Sequence, residues 1–109
     1  MLILFDNGTP RGLADFLTGH FVEEARAHGW EELANGELIE AAEQAGFDVM
    51  VTTDKNIRYQ QSLKAHKIAL VVHGNSQWPM MQLVAEEIAL AVNAVPPGGY
   101  VEVGVPFKK

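Results

Sequence analysis

At 109 residues the chain has the length of one domain, since folded domains most often run to roughly 100–150 residues, and at 48% hydrophobic it carries enough apolar side chain to exclude disorder. It has no cysteine, which excludes a disulfide framework, a thiolate zinc site and a cysteine nucleophile. Eight Lys and Arg against 14 Asp and Glu leave a net charge of −6, a diffuse field that repels nucleic acid, so any RNA contact has to be local or metal-mediated.

In chain order, Leu2 to Phe5 reads as a buried strand that stops at the turn-forming Asp6-Asn7-Gly8. The stretch Met1 to Asp6 lacks the basic region of a signal peptide. Pro10 suits the first position of a helix, and Leu13, Ala14 and Leu17 recur at helical spacing until Gly19. A short strand follows near Phe21 to Ala25. Asn35-Gly36 opens a second helix whose Leu38, Ile39, Ala42 and Ala45 share a face, and Gly46 stands where a C-terminal cap belongs. Val49 to Thr52 is the next strand, and Asp54 to Leu63 a loop running into a short helix. Ile68 to Val72 is an unbroken apolar run, too short to span a bilayer. A fourth helix starts near Pro79 and carries Met80, Leu83, Val84 and Ile88, with Glu86 and Glu87 turned outward. Pro96-Pro97-Gly98-Gly99 ends it before a last strand, Tyr100 to Val105, which alternates enough to be an edge.

Apolar runs of this kind are buried on both faces, the mark of a parallel sheet between helices. The order βαβαβαβαβ predicts one α/β domain over residues 1–109, an open, mostly parallel, Rossmann-like sheet in three αβα layers. A soluble cytoplasmic protein with no membrane partner is expected. In such sheets ligands collect beyond the carboxyl ends of the strands, where strand order reverses. Asp6 follows the first strand and Asp54 lies two residues past Thr52. A 2-1-3-4 order makes those strands neighbours, about 4.8 Å apart. Two carboxylates that close repel strongly unless a cation sits between them. Glu37, on the first turn of the second helix, is a third candidate for the same crevice. Three hard oxygen ligands without His or Cys suit Mg²⁺ or Mn²⁺.

The stretches LILFDNGTP, NGELIEAAEQAGFDVMVTTDKNIRYQQ and KIALVVHG resemble the compact PIN-like family, small proteins often encoded beside an antitoxin and related to the metal-dependent PIN-domain ribonucleases. The resemblance runs to Gly74 and is looser in the tail. It implies a PIN-like three-layer fold in which Asp6, Glu37 and Asp54 are the catalytic acids and hold Mg²⁺ or Mn²⁺ for attack on a single-stranded RNA phosphodiester. It also implies a toxin of a toxin-antitoxin pair, with an antitoxin protein and a second copy of the chain as partners. Asn7 and Asn56 stand where the family often has further acids. These amides can contact a phosphate but add no charge, which points to one metal ion rather than two. Arg11, Lys55 and Arg58 flank the crevice as phosphate contacts or as counter-charges. The alternative is a PIN-like scaffold that binds a partner protein with little or no turnover.

Each acid also has a purely structural reading: Asp6 as an Asx-turn over Gly8, Asp54 as a helix cap, Glu37 as a complement to the helix dipole. Two acids at adjacent strand ends favour function, because a cap is worth about 1 kcal/mol and Ser or Thr supplies it without repulsion. His20, His28, His66 and His73 have no metal-ligand spacing, and His73 alone, just past a buried strand, falls near the crevice. Trp30 and Trp78 read as closing a core edge or an interface ahead of base stacking. Trp78, Met80, Met81, Tyr100 and Phe107 are the candidates for self-association. A phosphoacceptor receiver domain also places acids after its first and third strands. It needs Thr or Ser after the fourth strand and Lys before Pro after the fifth, whereas this chain has His73-Gly74 and places Pro106 before Lys108.

Overall fold

The computed structural model describes residues 1–6, 9–33, 35–53, 67–73 and 82–104. Five strands form one sheet: β1 (Leu2–Phe5), β2 (Phe21–Glu24), β3 (Val49–Thr52), β4 (Ala69–His73) and β5 (Tyr100–Val103). Their order is β2-β1-β3-β4-β5, and every adjacent pair is parallel. This is the predicted open parallel α/β sheet, with β1 and β3 as neighbours and β5 at an edge.

Because successive side chains in a strand point to opposite faces, the apolar runs divide between two cores. Ile3, Phe5, Val49, Val51, Ala69 and Val71 face one side, where Leu13, Leu17, Val84, Ala85, Ile88 and Val92 cover them. Leu4, Met50, Leu70 and Val72 face the other, under Ala25, Leu38, Ile39, Ala42 and Phe47. The covering helices are α1 (Asn35–Gln44) and α2 (Ala85–Ala94). Short 3-10 helices run over Arg11–Phe16, Ala25–His28 and Gln82–Val84. Glu86 and Glu87 are exposed on α2 as expected.

Two local expectations are corrected. The segment after Pro10 is a 3-10 helix, with Leu13 N–H bonded to the Pro10 carbonyl at 3.2 Å and Leu17 N–H to Ala14 at 3.0 Å. Pro10 itself is extended, with ψ 136°. Six residues are too few to offset α-helix nucleation, and Gly12 and Asp15 are poor helix formers. Ala45, expected on the buried face of α1, is exposed because the helix stops at Gln44. There Gly46 turns left-handed with φ +92°. Phe47 N–H reaches Ala42 O at 3.0 Å and Gly46 N–H reaches Glu43 O at 3.1 Å, the Schellman pattern. The loop and short helix expected over 54–63, the start of the last helix at Pro79 and Met80, and Val105 lie outside the described residues. Among those described, no helix is long and apolar enough to cross a membrane.

Ile88 is fully buried on α2, whereas Leu90, two residues on, is 68% exposed. Ile88→Ala is therefore expected to lower unfolding free energy by about 2–5 kcal/mol, and Leu90→Ala to stay within about 0.5 kcal/mol of wild type. Urea denaturation of both variants checks which face of α2 carries the core.

Candidate functional site

β1 and β3 end side by side in the middle of the sheet. Their register pairs Phe5 with Val51, and one residue later the Asp6 N–H donates to the Val51 carbonyl at 3.1 Å. Asp6 thus leaves the sheet between β1 and β3, where strand order reverses and α/β proteins hold their ligands. The Asp6 carbonyl accepts the Thr9 N–H at 3.2 Å, which brings Thr9 back over the strand ends.

The Thr9 hydroxyl then stands among three partners. Its Oγ1 is 2.9 Å from Asp6 Oδ1, 2.9 Å from the Val51 carbonyl and 3.0 Å from His73 Nε2. The Thr52 hydroxyl donates to the other carboxylate oxygen, Asp6 Oδ2. Thr9, Thr52 and His73 are the buried polar side chains among the described residues, and Asp6 is half-buried beside them. Groups from the ends of β1, β3 and β4 are therefore tied into one polar cluster. Buried polar groups need such partners, since an unsatisfied one costs about 1–3 kcal/mol.

Of the residues expected at the site, Asp6 takes the position read for it. Glu37 lies in the first turn of α1 with its side chain exposed. Arg11 pairs with Glu24, Nε to Oε1 at 3.3 Å, on a side chain that is 84% exposed. Asp54, Asn7, Asn56, Arg58 and Lys55 lie outside the described residues. Among the described residues, no three acids or histidines gather into a group able to hold a metal ion. A cavity of about 510 Å³ opens on the β2 side of Asp6, where Arg11, Asp15, Glu23, Glu24 and His28 surround an apolar floor that includes Val22.

The remaining aromatic and histidine residues divide as follows. Trp30 stacks on His28 with ring centroids 4.4 Å apart and meets Phe47 edge-on at 6.1 Å, so it closes an edge of the second core. His20 bridges the amino terminus of Met1 at 3.1 Å and Asn93 Oδ1 at 2.7 Å. Of the sequence candidates for self-association, Trp78, Met80, Met81 and Phe107 lie outside the described residues. Thr9 and Thr52 are the site residues that sequence reasoning missed. Their signal was a hydroxyl in the turn after β1 and another closing an otherwise apolar β3.

Thr9→Val keeps the side-chain shape and removes the hydroxyl from all three partners. It is expected to cost about 1–3 kcal/mol, while Thr9→Ser keeps the hydroxyl and recovers most of the loss. Chemical denaturation of the two variants measures this, and a Thr9→Val protein as stable as wild type would show the cluster to be energetically idle.

Comparison with known proteins finds no matching family model, no matching curated protein and no matching solved structure. Function has to be read from the chain's own residues.

Proposed function

We propose that the chain is a metal-dependent endonuclease of PIN-like type that cleaves single-stranded RNA, acting as the toxin of a toxin-antitoxin pair. The observation that carries this reading is the Asp6 carboxylate at the point where strand order reverses, with both oxygens engaged by threonine hydroxyls. Thr52 closes the neighbouring strand, and Asp54 follows it by two residues in the sequence. Among the described contacts, the Asp6 carboxylate and the Thr9 and Thr52 hydroxyls beside it are oxygen groups, which suits a hard divalent ion.

In this reading Asp6, Asp54 and Glu37 hold Mg²⁺ or Mn²⁺. Such an ion supplies an acidified water and neutralises charge on the phosphodiester. The chain's own part is positioning. Thr9 and Thr52 fix the direction of the Asp6 carboxylate, which leaves it less freedom to lose when a ligand binds. Among the described residues Arg11 pairs with Glu24 through a largely exposed guanidinium, and pairs with an exposed partner contribute about 0–1 kcal/mol. It can exchange that partner for a phosphate at little cost. Asn7, Asn56 and Arg58 are the further phosphate contacts in this reading. An antitoxin protein and a second copy of the chain are its protein partners. Phe21, 76% exposed on the edge strand β2, and Leu90, 68% exposed on α2, offer apolar surface to them.

Two measurements test the reading. Purified protein should cleave single-stranded RNA only with Mn²⁺ or Mg²⁺ present, and Asp6→Asn or Asp54→Asn should abolish cleavage with the fold retained by circular dichroism. Cleavage that survives either substitution, or chelation, belongs to a contaminant. A protein that stays folded, takes up the metal and cleaves no RNA is the partner-binding scaffold instead. Sedimentation on the order of tens of micromolar, a range for weak association, should show a dimer, and a monomer there removes self-association from the proposal.

A further inference from the structure

His73 is completely buried at the end of β4, and β3 lies between it and the strand that carries Asp6. We propose that His73 is a positioning residue for Asp6, acting through the Thr9 hydroxyl. The inference rests on the reading of Asp6 as a functional carboxylate and goes beyond it, because it assigns a role to a residue that does not touch Asp6 in the described contacts.

Proton accounting at Thr9 carries the argument. A hydroxyl has one proton and two lone pairs. Around Thr9 Oγ1 stand two oxygens that can only accept, Asp6 Oδ1 and the Val51 carbonyl, each at 2.9 Å. If His73 Nε2 were also bare, three acceptors would surround one proton, and a hydroxyl turned toward His73 would present a lone pair to the carboxylate. The arrangement is satisfied when Nε2 carries a proton and donates it to Thr9 Oγ1 across 3.0 Å. The Thr9 proton then goes to Asp6 Oδ1. The carboxylate is the stronger acceptor, and the Val51 carbonyl already receives the Asp6 N–H at 3.1 Å.

The result is a one-way chain in which His73 N–H donates to Thr9 and Thr9 O–H donates to Asp6 Oδ1, while Thr52 O–H donates to Asp6 Oδ2. Consecutive hydrogen bonds of one direction polarise each other in a low-dielectric setting. Each carboxylate oxygen thereby accepts a hydrogen bond from a buried threonine. Without the His73 donor the Thr9 oxygen loses the bond that holds one of its lone pairs and polarises its proton toward Asp6, and the anchor on Asp6 Oδ1 weakens. The consequence is on how well Asp6 holds a cation, not on whether it is present.

The test uses three readouts on the full chain. Long-range ¹H–¹⁵N NMR of wild type should show His73 protonated at Nε2, and a neutral ring with its proton at Nδ1 alone overturns the chain. Calorimetric titration with Mn²⁺ should show binding weakened roughly 10-fold or more in His73→Phe, the scale on which outer-shell partners of metal sites act, with the same direction in Thr9→Val. His73→Gln, whose terminal amide can donate from nearly the position of Nε2, should restore most of the affinity, and Thr9→Ser should do likewise. Urea denaturation of each variant identifies any that fails to fold, and the Thr9 pair then decides. Mn²⁺ binding by wild type that neither His73→Phe nor Thr9→Val alters overturns the positioning role and leaves the metal reading standing. Wild type that binds no Mn²⁺ overturns both.

Discussion

β1 and β3 are hydrogen-bonded to one another in the middle of the sheet, and neither has a face open to water. Ile3, Leu4 and Phe5 on one strand and Val49, Met50 and Val51 on the other are each at most 1% exposed. A parallel pair covered on both sides admits no unpartnered polar side chain along its length. The first place a charge can stand is the residue at which the strand leaves the core. A slip of one residue would carry Asp6 into the place of Phe5 and exchange the two faces of the strand. The hydrophobic pattern therefore sets the register, and the register sets the position of the carboxylate. The paired ends of β1 and β3 then bring Asp6, just past β1, and Thr52, the last residue of β3, together from 46 positions apart.

The strand ends impose a second condition, because they are still inside the protein. Thr52 and His73 are the last residues of β3 and β4 and are fully buried, with Thr9 only 5% exposed above them. Three polar side chains in that position would cost more than the burial of their methyl and ring atoms returns, unless each finds partners. They find them in one another, in Asp6 and in the Val51 carbonyl. Threonine meets the requirement better than serine would: its methyl group fills apolar space while its hydroxyl completes the network. Asp6 is thus a structural acceptor as well as a functional candidate, and the two roles support each other. The hydroxyls that keep the buried ends satisfied also fix the direction of the carboxylate.

The fold was legible in the sequence wherever burial alone decides structure. Leu2–Phe5 and Val49–Thr52 were read at their observed bounds, because an apolar run ending at a turn residue or a polar residue has few other meanings. The run Ile68 to Val72 was displaced by one residue from the strand Ala69–His73, because hydrogen bonding to β5 continues onto the polar His73. Local geometry was less legible. An apolar spacing that fits an α-helix also fits the 3-10 segment Arg11–Phe16, and the choice turns on length and on Gly12. Ala45 looked like a helix position because its spacing continues that of Leu38 and Ala42, whereas the left-handed Gly46 ends the helix one residue earlier. At the site, Asp6 was visible as an acid directly after a buried strand. The Thr9 contact to His73 spans 64 positions and depends on β4 lying next to β3, a fact of strand order that no short stretch of sequence contains. Taken locally, Thr9 is only a turn residue before a proline.

Charge poses the remaining question, because a chain of net charge −6 is a poor attractor for a polyanion. The excess is spread over the surface, with Glu31, Glu32, Glu37 and Glu40 exposed before and along α1 and Glu86 and Glu87 exposed on α2. At physiological ionic strength exposed charges farther apart than about 8 Å are largely screened from each other. The distant acids therefore slow the approach of a phosphate more than they oppose its final contact, and that slowing itself weakens with salt. What a phosphate meets on arrival is decided within a few ångströms of Asp6. There the Asp6 carboxylate stands, and on the β2 side Arg11 and Glu24 pair at the rim of the cavity. In the proposed reading a phosphate settles beside the Asp6 carboxylate only with a cation between them. Compared with Arg11, a divalent ion brings two positive charges and accepts oxygen ligands from both sides at once. For the RNA substrate proposed above, the acidic character of the chain favours a metal-mediated contact over a basic docking surface.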